Sequence, residues 1–282
     1  MAATFDKILI PVDFSLNTEI AVRKAVELVG PDETVIHLLH VVHPAKKTKN
    51  QFRVWVAERD LHQWKYTIQQ SGPHIRVKVH ILRGNSVRQT LIECASMLNP
   101  DLIIIARQNN HRRWFLFGNV SPDIIAKRTN CPVLTVKPGS LDIRTRVIVL
   151  PIRDFLPERK LEWAVLMAKR FKAQVHLLAV GEDAGTKDGL LSQTFLKAYH
   201  YLREKLHHPV EYSAATRHNP AKAALKYAEL IMADMILVNP QTESGVSGFT
   251  GFRHISDLLT RDSKIQVLDV QPYDLGKPVG DA

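Results

Sequence analysis

The sequence predicts an α/β protein of two tandem doubly wound domains, each with a mostly parallel five-stranded sheet and helices on both faces. Three observations lead there. Short apolar runs bounded by turn residues alternate with amphipathic stretches, as buried parallel strands alternate with crossover helices. The pattern then repeats: KILIPVDF (7–14) returns as RVIVLPIRDF (146–155), with Pro151 standing 140 positions after Pro11. Finally, 282 residues exceed what one hydrophobic core ordinarily holds.

Each element has its counterpart. After the first strand, Ile20, Ala21, Lys24, Ala25 and Leu28 mark one face of a helix, as Leu161, Ala164, Val165 and Ala168 do in the second half. IHLLHVV (36–42) and VHLLAV (175–180) are nearly one strand written twice. Longer amphipathic helices follow, about 50–70 with Phe52, Trp55 and Val56, and about 187–207 with Leu191, Phe195 and Leu202. Third strands IRVKVHIL (75–82) and PVEYSAAT (209–216) lead into helices at about 86–97 and about 220–232. DLIIIA (101–106) matches DMILVN (234–239), and after a loop and a helix PVLTV (132–136) and IQVLDV (265–270) close the halves. Right-handed crossovers then favour the doubly wound arrangement. Pro138, Gly139 and Ser140 signal a linker, giving a first domain at 1–138, a linker at 139–145 and a second domain at 146–282.

Composition narrows the function classes. A hydrophobic fraction of 45% and a charged fraction of 23% are those of a soluble globular protein. No apolar stretch approaches the roughly 20 residues that span a bilayer, so no membrane partner is expected. Met1 to Lys7 shows no signal pattern, and two cysteines imply no disulfide framework, so a cytoplasmic location is expected. The net charge of +10 divides as +8 over residues 1–140 and +2 over 141–282. A basic half attracts anions. With no base-reading motif, the charge reads as solvated surface and no specific nucleic-acid partner is expected.

In open α/β sheets ligands bind beyond the carboxyl ends of the strands, where strand order reverses. Pro11, Val12, Asp13, Phe14 and Ser15 follow the first strand. Asp13 could accept hydrogen bonds from a ribose hydroxyl or an adenine amine; equally, Asp13 or Ser15 caps the next helix. ARQNNHRRWFLFGNVSPDII (106–125) follows the fourth strand, with a helix start at Ser121-Pro122. Backbone N–H groups of Gly118, Asn119 and Val120 would face a phosphate there, with His111, Arg112 and Arg113 adding charge. The alternative is a solvated basic loop whose Trp114, Phe115 and Phe117 pack into the core or against a partner.

KILIPVDFS (7–15), LLHVVHP (38–44) and NCPVLTVKP (130–138) resemble the universal stress protein family in its tandem form, over nearly the whole chain. Nucleotide-binding members of that family carry G-x2-G-x9-G-[ST] after strand four. In register, those glycines fall here on Ala106, Asn109 and Asn119, with Gly118 one place early. The resemblance therefore implies a stress-response protein that binds or regulates, with a weak adenine-nucleotide site in the first half at Pro11, Val12, Asp13, Val41, Ala106, Asn109, Gly118, Asn119 and Val120. ATP or AMP would bind there only, and no cofactor is required. In the second half Arg153 replaces Asp13, and Gly245, Gly248 and Gly251 stand at the wrong spacing, reading as a flexible surface loop. A slow nucleotide hydrolase, and a scaffold whose vestigial pockets hold an apolar ligand or partner, remain as alternatives. Family resemblance also implies antiparallel pairing of strands 132–137 and 265–270 within the chain, which would shield an apolar edge; a homodimer is a further assembly open to it.

No phosphate-binding P-loop, G-x-G-x-x-G or G-x-S-x-G motif is present, and no catalytic residue is assigned. His37 and His40 should point to opposite faces of their strand, which argues against a metal site. Cys94 reads as a core thiol, and Cys131 has no evident catalytic partner.

Overall fold

The computed structural model describes residues 5–43, 47–107, 121–140, 144–153, 155–181, 184, 192–216, 219–240, 242–248 and 251–273. In the first half β1 (Lys7–Val12), α1 (Leu16–Leu28), β2 (Thr34–Val42), α2 (Lys47–Gln69), β3 (Ile75–Arg83), α3 (Val87–Leu98), β4 (Leu102–Ala106), α4 (Pro122–Thr129) and β5 (Val133–Val136) alternate without exception. The second half runs β6 (Val147–Ile152), α5 (Glu158–Phe171), β7 (Gln174–Gly181), α6 (Gln193–Lys205), β8 (Glu211–Thr216), α7 (Pro220–Leu230) and β9 (Met235–Val238). A hairpin of β10 (Gly245–Gly248) and β11 (Gly251–His254) precedes β12 (Gln266–Asp269).

The strands make one ten-stranded sheet in the order β3-β2-β1-β4-β5-β12-β9-β6-β7-β8. Within this sheet the pairing in each half is parallel, and β5 meets β12 antiparallel with Leu134 opposite Leu268. That pairing removes two central edges that would otherwise expose unpaired backbone. Alternate residues of β1 go to opposite faces: Ile8, Ile10 and Val12 join a core shared by both halves, and Leu9 joins a core of the first half alone. Across the shared face, the rings of Phe5 and Trp163 lie 5.7 Å apart.

Local chemistry starts and stops the helices. Ser15, Ser86, Ser192 and Asn219 accept backbone N–H groups at the starts of α1, α3, α6 and α7, while Ser121 precedes α4 with Pro122 in the first turn. Asn99 and Asn130 end α3 and α4 in the left-handed conformation that asparagine tolerates. On α2 the buried stripe is Ala57, Leu61 and Ile68, with Trp64 packed beside it. Trp55, read from the sequence as part of that apolar face, instead lies 56% exposed with Arg59 over its ring. The segment 138–140 is a short 3-10 turn packed on the second half: a Cβ on Gly139 would meet the Asp262 carbonyl oxygen at 2.1 Å, so only glycine fits.

Gly245, Gly248 and Gly251 correct the sequence reading of a flexible loop. Gly245 pairs with His254, and Gly248 with Gly251, in an antiparallel hairpin. Ladder bonds, the Ile255 N–H donated to Ser244 O at 2.6 Å and the Asn219 amide donated to Gly245 O at 3.2 Å hold it in place. Among the described residues no helix is long and apolar enough to cross a membrane.

Candidate functional site

Strand order reverses between β1 and β4 in the first half and between β6 and β9 in the second, so each half has a crevice at the carboxyl ends of two diverging strands. The two crevices are built differently.

In the first, Pro11, Asp13, Asn17, Thr18, Ile105 and Ala106 line a small cavity of about 10 Å³, room for about one water. Oδ1 of Asp13 accepts from the Ser15 N–H at 3.0 Å, the Ser15 hydroxyl at 2.5 Å and the Thr18 hydroxyl at 2.8 Å. Thr18 Oγ1 accepts the Asp13 N–H at 3.1 Å in return. Ser15 is the helix cap, accepting from the Asn17 N–H at 3.2 Å. Asp13 therefore braces the cap, and none of these bonds uses Oδ2. Oδ1 of Asn17, in a residue only 7% exposed, is buried with no hydrogen-bond partner. An orphaned buried acceptor in a cavity wall is a place for a donor from outside.

The turn above the cavity holds strain. Phe14 has φ 58°, in the left-handed region, a conformation costing about 1–2 kcal/mol for a residue with a Cβ. Its ring rests on His40, centroids 4.7 Å apart, and His40 Nδ1–H donates to Val12 O at 2.8 Å. Burial lowers the His40 pKa, against the opposing pull of the Val12 carbonyl and Asp13.

Of the residues singled out from the sequence, Pro11, Asp13 and Ala106 meet in this cavity. Val12 and Val41 do not line it; their side chains belong to the cores on opposite faces of the sheet. Asn109, Gly118, Asn119 and Val120 lie outside the described residues, as do His111, Arg112, Arg113, Trp114, Phe115 and Phe117. Asn17, Thr18 and Ile105 were missed. The spacing of Asp13 to Thr18 across a helix start carried the signal, because the first turn of α1 folds back over the end of β1.

The second crevice is filled by its own side chains. Lys160 of α5 reaches in from the position matching Asn17 of α1, counted back from the helix ends Phe171 and Leu28, and donates to Pro151 O at 2.6 Å and to Glu243 Oε2 at 2.5 Å. The same carboxylate accepts the Asn239 N–H at 2.8 Å and the Asn239 amide at 3.3 Å. Both charged side chains are sealed, 0% and 1% exposed. Burial lowers the Lys160 pKa, and Glu243 opposes it. Neither residue stands in a motif, so nothing in the sequence pattern pairs them.

A third polar cluster lies at the seam between the halves. His254 Nε2–H donates to Asp269 Oδ1 at 2.9 Å, while its Nδ1 accepts from the Ser256 N–H at 3.1 Å and lies 2.7 Å from Ser256 Oγ. Arg107, directly after β4, pairs with Asp257 of the other half at 3.0 Å. Serine, histidine and aspartate in line suggest a nucleophile, but these are 0–1% exposed and brace the seam out of a substrate's reach.

His37 and His40 do face opposite ways: His37 Nδ1 lies 2.8 Å from His80 Nε2 on β3, whereas His40 turns to Val12. The Cys131 thiol donates to Pro100 O at 3.1 Å, and burial raises its pKa, as it does for Cys94. Among the described residues, no group of three or more His, Cys, Asp and Glu is placed to hold a metal ion.

Comparison with known proteins agrees with this architecture. The universal stress protein family model matches residues 4–137, the first half. Universal stress protein G of Shigella flexneri is 32% identical over 144 residues, 47% of this chain and 99% of that protein, and its counterpart in Escherichia coli O157:H7 gives the same values. Among solved structures, a universal stress protein from Archaeoglobus fulgidus DSM 4304 superposes with a TM-score of 0.60 at 17% identity, covering 95% of this chain and 97% of that one. The cytoplasmic domain of a prokaryotic cation chloride cotransporter gives 0.58 at 14% identity, covering 95% and 96%. At such identities the likeness shows the fold alone, but it extends over both halves. With a relative 32% identical along almost its entire length, the chain belongs to the universal stress protein family.

Proposed function

We propose that the protein is a cytoplasmic stress-response protein that acts by binding a ligand rather than by covalent catalysis, with one weak adenine-nucleotide site, in the first half. The observation that carries this reading is the buried Asn17 Oδ1 without a partner, beside Asp13 and Thr18 at the reversal of strand order. An adenine amine or a ribose hydroxyl supplies the donor that such an acceptor lacks. Weakness follows from size. A cavity of about 10 Å³ holds a water but not a purine, so ATP or AMP must sit at its mouth or open it, and ordering costs free energy. In the second half the crevice already contains an ion pair. No specific nucleic-acid or membrane partner enters this function.

Calorimetry with ATP and with AMP tests the reading. One weak site per chain that disappears in the Asn17→Ala variant supports it. Two sites of similar affinity, or heat unchanged by Asn17→Ala, would remove the first crevice as the ligand site.

A further inference from the structure

Lys160 and Glu243 are buried ionised partners that no step of nucleotide binding uses. They lie where the fold, in its other copy, leaves a cavity: Pro151 matches Pro11, Asn239 matches Ala106, and Lys160, first in the buried stripe Lys160, Leu161, Ala164, Ala168 and Phe171, matches Asn17 in the stripe Asn17, Thr18, Ala21, Ala25 and Leu28. The surroundings of Glu243 are those of a bound anion. One oxygen receives an ammonium at 2.5 Å and a backbone N–H at 2.8 Å from the end of β9, and the other receives a side-chain amide at 3.3 Å. A second Lys160 proton goes to the Pro151 carbonyl at 2.6 Å, which fixes the ammonium against the end of β6. Donors thus converge on one carboxylate from α5 and from the end of β9, while the end of β6 holds the ammonium through its carbonyl. The carboxylate itself comes from the β9–β10 connection, in a turn closed by the Glu243 N–H on Asn239 O at 3.1 Å.

We propose that the second crevice is a carboxylate-binding site whose occupant is the chain's own Glu243, and that a small free carboxylate takes the same place once that side chain is removed. The ammonium comes from α5 and the Asn239 donors directly follow β9, in a turn held by the backbone bond of the Glu243 N–H to Asn239 O, which shortening the Glu243 side chain leaves intact. Replacing glutamate by alanine deletes CH2–COO⁻, and acetate restores a methyl carbon and a carboxylate of matching size. A charge left in a dry site without its partner is strongly destabilising, so the lysine should draw in an anion from solution. The inference is independent of whether nucleotide binds the first half.

The test uses the full chain with Glu243→Ala. Its unfolding midpoint is measured in rising acetate, against chloride and phosphate at equal ionic strength. The midpoint should lie below that of the unsubstituted protein and climb with acetate as linkage requires, while the unsubstituted protein and a Lys160→Met/Glu243→Ala double variant respond no more than they do to chloride. If the single variant does not fold in chloride, refolding in acetate decides: recovery of the folded chain supports the proposal, and failure in both overturns it. Equal effects of acetate and chloride overturn it too. A larger effect of phosphate would overturn the assignment to carboxylates.

Discussion

The two crevices share a position in the fold and differ in what fills them. In the first, small and polar side chains leave a water-sized cavity and one unsatisfied acceptor, Asn17 Oδ1. In the second, a lysine stands in place of Asn17 and a glutamate from the turn after β9 closes over it. Two copies of one architecture can thus keep their strands and diverge in the connections, α4 in the first half and a hairpin with a 3-10 turn in the second, because ligand sites at a reversal of strand order lie on connections rather than on the strands. In the second copy Lys160 and Glu243 satisfy each other's charge and Asn239 Oδ1 is left buried without a partner; in the first, the orphaned Asn17 Oδ1 stands in the wall of a cavity, where a donor can reach it.

The largest effect should come from breaking the second crevice. Lys160→Met strands Glu243 in the interior and is expected to lower stability by about 3–5 kcal/mol, the usual cost of removing one partner of a buried pair. Adding Glu243→Leu should recover most of it, since an apolar pair needs no solvation. Ile20→Val, an ordinary truncation in the apolar core, should cost only about 0.5–1.5 kcal/mol. Denaturant unfolding of the four proteins measures this, and a Lys160→Met protein as stable as Ile20→Val would mean that the ion pair matters no more to the second crevice than ordinary core packing does.

Within the first crevice, bracing and ligand contact separate by residue. Asp13→Ala removes the acceptor of three hydrogen bonds that position the cap of α1, and is expected to cost about 1–2 kcal/mol. Asn17→Ala removes an acceptor with no partner, so it should leave stability nearly unchanged while reducing nucleotide binding. Combined thermal and binding measurements show the split; a large stability loss in Asn17→Ala would reveal a structural duty for that side chain.

A smaller difference concerns acid. His37 and His176 are matching residues of β2 and β7. Burial, with His80 and Lys78 adding repulsion, holds the His37 pKa at about 4, while His176 is lowered by burial against the pull of Glu211. An unfolded histidine titrates near about 6.5. Between that value and about 4 the unfolded chain binds the extra proton, so the stability His37 contributes is present above about pH 6.5 and is lost as pH falls. His37→Gln should therefore flatten the acid loss of stability more than His176→Gln does. Equal slopes for the two variants would place the acid sensitivity elsewhere.

The smallest effect is electrostatic. The surplus of +8 in residues 1–140 should give at most weak binding to nucleic acid that vanishes at moderate salt. Salt-resistant, sequence-dependent binding would reveal a recognition surface that the two halves do not share.

The architecture was legible because it is written twice. Strand-length apolar runs at matching positions fix the order of elements, and Pro11 and Pro151 mark corresponding strand ends. The first crevice was legible in part: Pro11, Asp13 and Ala106 follow from strand ends, but Asn17 and Thr18 depend on how the first helical turn folds back. The second was not. Lys160 and Glu243 are 83 residues apart, and a lone lysine on an amphipathic helix reads as a solvated side chain until its partner is known. The hairpin was misread for a related reason, since glycines mark turns in a sequence but not the ladder that joins them.

Mapping the amide signals of the full chain during titration with ATP is the most direct test of the claim that ligand enters one half only. Shifts should gather at Pro11's neighbours Val12 and Asp13, at Asn17 and Thr18, and at Ile105 to Arg107, while Ile152, Lys160, Asn239 and Glu243 stay still. Comparable, saturating shifts around Lys160 and Glu243 would contradict it, because they would show a ligand displacing an ion pair that should keep that crevice closed.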